Sequence, residues 1–123
     1  MFSWFQSKAT PLKALPLSQR EKSYSANCGA VYRYLFIGMR GKQHVFEVSV
    51  DRGPRLELSV ELQSKARFAV EEKLGMELRW NEEYALIKLG LFEAFDEERI
   101  REPRVIEVAP DRALQYLDEL KLA

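Results

Sequence analysis

Residues 31–62 read VYRYLFIGMRGKQHVFEVSVDRGPRLELSVEL, and their periodicity decides the fold. Val31–Ile37 is rich in β-branched and aromatic residues, with Tyr32, Tyr34 and Phe36 on one side. From His44 to Val50, Phe46, Val48 and Val50 alternate with Val45, Glu47 and Ser49. From Arg55 to Leu62, Leu56, Leu58, Val60 and Leu62 alternate with Arg55, Glu57, Ser59 and Glu61. Two glycine-containing stretches, 38–42 and 51–54, separate the three runs. Period two across runs joined by such turns predicts a three-stranded antiparallel meander. The polar side of the third run marks a wet face, which antiparallel sheets allow.

The period changes after Leu62. Ala66, Ala69, Val70 and Leu74 recur at helical spacing, with Ser64 placed to cap the start and Gly75 to end the helix. Met76–Trp80 has the length of a short strand. Asn81-Glu82-Glu83 is a helix start with acidic residues over the first turn, and Tyr84–Phe95 is apolar almost all round. A helix over 84–95 is thus buried or has an interface face. Gly90, costing about 1 kcal/mol against Ala in a helix interior, leaves a buried strand as the alternative. Pro103 stops any helix by Glu102, Arg104–Val108 reads as a strand, and Pro110 suits the first turn of a last helix with Ala113, Leu114, Leu117 and Leu120 as its stripe.

Residues 1–30 have no clear period and contain Pro11 and Pro16, which predicts an extended or irregular arm. The whole chain reads as an α+β protein: the meander, two to three helices after it, one or two extra short strands, and a single domain over 31–123. At 123 residues, with 46% hydrophobic and 31% charged residues, it is long enough for its own core and has no compositional sign of disorder.

The counts exclude some chemistry. One cysteine, Cys28, allows no intrachain disulfide. One cysteine and one histidine, His44, do not supply a zinc ligand set. No dinucleotide or P-loop glycine motif is present, so no cofactor is expected; a hard-cation site built from carboxylates stays open, although no D-x-[DN]-x-[DN]-G loop is present and no metal ligand is assigned. The N-terminus lacks a basic segment ahead of an apolar run, and no stretch has the ~20 apolar residues of a membrane span, so the expected address is the cytoplasm.

His44 could be a general base, but no catalytic signature surrounds it; a solvent-facing or hydrogen-bonded structural histidine is the expectation. Cys28 is expected to be a buried small side chain. The clusters Glu71-Glu72, Glu82-Glu83 and Asp96-Glu97-Glu98 lie beside Lys and Arg, the pattern of solvated helix faces with pairs such as Glu98 and Arg101.

Phe36-Ile37-Gly38-Met39-Arg40-Gly41-Lys42 resembles the I-G-x-x-G core of KH domains, which implies a loop that clamps a nucleic-acid backbone. KH domains set that loop between two helices, whereas both flanks here read as strands. Gly41-Lys42-Gln43-His44 and Ser64-Lys65-Ala66-Arg67 resemble elements of double-stranded-RNA-binding domains, whose first helix is missing here.

Net charge is zero, yet residues 1–50 hold seven basic and two acidic residues, a net +5 that leaves −5 for residues 51–123. Such asymmetry suits a self-complementary dimer, phosphate contacts, or pairing within the domain.

The leading expectation is a non-catalytic binding or regulatory module acting through protein contacts, with a protein partner or as a homodimer. Its candidate contact residues are Phe2, Trp4, Phe5, Tyr84, Leu91 and Phe95. One alternative is a nucleic-acid-binding module using Arg33, Arg40, Lys42, Lys65 and Arg67; another is a small-ligand protein or enzyme with a pocket near His44.

Overall fold

The computed structural model describes residues 21–97 and 105–121. The meander is its centre: β2 (Val31–Arg40), β3 (Gln43–Val50) and β4 (Leu56–Leu62) pair antiparallel. The first turn is only Gly41-Lys42, tighter than the expected 38–42. Gly41 takes φ 62°, the left-handed conformation that two-residue hairpins place at glycine. The strand continues through Gly38 because a bulge between Phe36 and Gly38 absorbs one residue. The glycines of the KH-like stretch therefore belong to a strand and a hairpin turn, not to a loop between helices.

Two short strands extend the sheet to five, in the order β1-β2-β3-β4-β5. β1 (Lys22–Ser25) pairs antiparallel with β2 and lies within the stretch expected to be an arm. β5 (Val105–Val108) pairs parallel with β4. Between β4 and β5 come α1 (Ser64–Leu74) and α2 (Trp80–Asp96), and α3 (Pro110–Glu119) follows β5. The result is an α+β fold with a mixed sheet and, among the described residues, three helices.

Several helix ends have a local cause. Gly75 closes α1 at φ 75°, its N–H bonded to the Glu71 carbonyl. Ser64 is the first residue of α1 rather than its cap, and its Oγ accepts a hydrogen bond from Lys42 Nζ at 2.8 Å. Met76–Arg79 forms a loop rather than a strand, and Trp80 opens α2. The Glu82 carboxylate accepts the Arg79 N–H at 3.0 Å, satisfying one of the donors a helix start leaves open. Pro110 occupies the first turn of α3, as its fixed φ suits.

The core lies between one sheet face and the helices. Tyr32, Tyr34, Phe36, Phe46, Val48, Leu58, Val60 and Leu62 face Leu86, Ile87, Leu91, Ala94 and Phe95 of α2. Residues 84–95 are thus helical, and Gly90 has a packing reason. A Cβ there would meet Val108 Cγ2 at 2.9 Å, so the missing side chain lets α2 approach β5. Glu93 of α2 holds α3 by an ion pair to Arg112 and a hydrogen bond from the Tyr116 hydroxyl.

Candidate functional site

The first turn of α2 carries the most varied chemistry. Strand alternation points His44 to the same side as Phe46 and Val48, into the core. There it is 0% exposed, among Phe36, Trp80 and Tyr84 at ring-centroid distances of 5.7, 6.0 and 6.0 Å. Among the described residues neither ring nitrogen finds a hydrogen-bond partner. His44 is therefore neither solvent-facing nor hydrogen-bonded, which corrects the expectation from its place near a strand start. Burial pushes its pKa down to about 4, with Glu83 opposing and Arg67 reinforcing the shift. None of the clefts described below borders it.

Glu83 is buried and meets the Arg67 guanidinium of α1 at 2.5 Å, while Arg67 also reaches Glu71 at 3.5 Å. Glu83 and Glu71 thus tie α1 to α2 rather than lie on a solvated face, whereas Glu72 and Glu97 are exposed as expected. Glu71 also accepts the Leu78 N–H at 2.9 Å, fixing the loop between them. Asp96, at the far end of α2, accepts hydrogen bonds from the Tyr24 hydroxyl and the Asn27 N–H, both at 2.9 Å. These carboxylates are occupied in holding elements together. Glu98 and Arg101 lie outside the described residues.

Large apolar side chains are also left open on α1, on the loop after it and at the start of α2. Phe68 on α1 is 67% exposed, Met76 in the loop 52% and Trp80 at the start of α2 47%. Trp80 stacks on Tyr84 at 5.1 Å, so Tyr84 is half-buried beneath it. Leu91 and Phe95 are fully buried, with Phe95 stacked on Tyr32 at 4.1 Å. Helical spacing turns them toward the sheet, so this chain's own core takes the two residues expected to contact a partner. Phe2, Trp4 and Phe5 lie outside the described residues. The sequence reading missed Phe68, although its place off the Ala66–Val70–Leu74 stripe marks it as outward-facing.

The predicted basic group is dispersed and mostly paired. Arg40 meets Glu57 at 2.8 Å across the sheet, and Lys42 lies 3.7 Å from Glu61. Arg67 is held by Glu83, Lys65 is exposed on α1, and Arg33 is half-buried on β2 beside Val31, Asp51 and Arg52. Cys28 is exposed rather than buried, because it lies in the turn after β1 that closes with the Gly29 N–H on the Ala26 carbonyl.

Two shallow clefts flank Glu93. One, of about 240 Å³, runs between α2, β5 and α3; the other, of about 230 Å³, lies between Tyr24, Phe92 and α3. Their shared polar centre, Glu93–Arg112–Tyr116, is already satisfied internally. Among the described residues no group of three His, Cys, Asp or Glu side chains is arranged to hold a metal, and no helix is long and apolar enough to cross a membrane.

Comparison with known protein families, with curated proteins and with solved structures gives no match.

Proposed function

We propose that this domain is a non-catalytic binding module that works through protein contacts, and that its partner is a second copy of the same chain. The observation that carries this reading is the exposure of Phe68, Met76 and Trp80 on consecutive elements. Large exposed apolar side chains mark interaction surfaces where they form a contiguous patch, and these three come from one stretch of chain, residues 68–80. Burial of such groups, with Tyr84 behind Trp80, would supply the apolar centre of an interface, and surrounding charges its orientation. The exposed Cys28 without a disulfide fits a reducing, cytoplasmic setting. The ion pairs that occupy Arg40, Lys42 and Arg67 use charge that a nucleic-acid backbone would need, so the protein reading is preferred.

Light scattering over a micromolar concentration series tests the proposal. A dimer is expected, and Phe68→Ser or Met76→Ser should shift it to monomer while the circular-dichroism spectrum of the fold is unchanged, since both side chains are largely outside the core. A monomer throughout the series would overturn the homodimer.

A further inference from the structure

Lys22 and Lys88 are 66 positions apart in sequence, yet the fold brings them to one place. Lys22 on β1 is directly opposite Tyr34 on β2, so the two share a sheet face. Lys88 reaches that face from α2: its Nζ lies 6.0 Å from the centre of the Tyr34 ring, 5.7 Å from Tyr84 and 5.9 Å from Phe92. The result is two ammonium groups and two phenols at one junction of helix and sheet edge.

These groups donate and find no acceptor. Among the described residues no carboxylate lies within ion-pair distance of either lysine, and neither the Tyr34 nor the Tyr84 hydroxyl has a hydrogen-bond partner. Asp96, two turns further along α2, is already engaged by Tyr24 and Asn27. Glu21, next to Lys22 in sequence, pairs with Arg55 at 3.3 Å instead. The surroundings also make the charges uncomfortable. Burial holds Lys88 below the usual lysine pKa, and the like charge of Lys22 lowers it further. The Tyr84 phenol is pushed up to about 12 by burial and by Tyr34, so it stays a donor at neutral pH.

A ligand that relieves this arrangement must accept hydrogen bonds and bring about two negative charges, which a phosphate monoester does with roughly −1.5 to −2 at neutral pH. A carboxylate would leave one ammonium uncompensated. We infer that Lys22, Lys88, Tyr34 and Tyr84 form a binding site for a phosphate group, carried on a small molecule or free in solution. The lysines act as point charges, and the phenols fix the oxygen positions. The aromatic rings exclude water from one side and strengthen the attraction.

The test titrates the full chain at low ionic strength with inorganic phosphate, phenyl phosphate and acetate, following binding by calorimetry and the Lys88 side-chain pKa by NMR. Phosphate should bind and raise the Lys88 pKa, and acetate should bind more weakly. Tighter binding of phenyl phosphate would point to an ester seated against the rings, and equal binding to free phosphate. Lys88→Met and Lys22→Met should each weaken phosphate by about tenfold or more. Lys65→Met, which removes an exposed cation elsewhere, should leave it unchanged. Lys22 is exposed on an edge strand, so its variant folds and decides the matter should Lys88→Met fail to fold. No phosphate binding, acetate as tight as phosphate, or equal losses in Lys65→Met and Lys22→Met would overturn the inference.

Discussion

At the scale of single residues, His44 is the most consequential side chain. Its neutral form fills a sealed aromatic pocket, while its charged form would sit there without a hydrogen-bond acceptor. The unfolded chain protonates His44 near pH 6.5 and the folded chain only near pH 4, so in that window the unfolded state binds more protons. Stability from this group is therefore complete above pH 6.5 and is lost as pH falls toward 4, by on the order of 3 kcal/mol. Urea midpoints across that range should fall more steeply for the native chain than for His44→Leu, which has similar volume and no proton to gain. Parallel profiles would show that His44 does not drive the acid sensitivity. The burial was readable from sequence, since His44 has the parity of Phe46 and Val48. Its lack of a partner was not, because that depends on Trp80 and Tyr84 arriving from a distant helix.

At the scale of elements, α2 carries most of the tertiary logic. One side packs the core, Gly90 admits Val108, Glu93 anchors α3 and Asp96 anchors β1. Gly90→Ala sets two effects against each other. Helix propensity gains about 1 kcal/mol, while the new methyl must displace a stiff, buried valine. Overpacking of that kind costs roughly 1–3 kcal/mol, so a lower thermal midpoint is expected; a higher one would mean that β5 yields easily. The meander was legible because one side of each run is apolar at period two. β1 was not legible: Lys22-Ser23-Tyr24-Ser25 offers one apolar residue, and its strand state depends on pairing with β2 and on Tyr24 stacking against Phe92 at 4.3 Å. Nor did any spacing foretell the meeting of Lys22 with Lys88, since strand pairing and helix docking create it.

At the scale of the whole molecule, the balanced net charge becomes intelligible. Arg40 and Lys42, from the basic first fifty residues, are matched by Glu57 and Glu61 from the acidic remainder. Part of the asymmetry is thus neutralised among the described residues, so under the proposed self-association the exposed apolar side chains rather than net charge would supply the motive. The mixed sheet has a further consequence, in time rather than in space. Strands β1 to β4 meet their neighbours through short connections, but the chain leaves the sheet at Leu62 and regains it at Val105 only after two helices. Closing that larger loop costs more entropy before any contact rewards it. The parallel strand should therefore join last. In a pulse-labelled refolding experiment, the amides of Phe46 and Leu58 should become protected before that of Ile106; simultaneous protection would mean that the helices carry β5 into place as the meander forms.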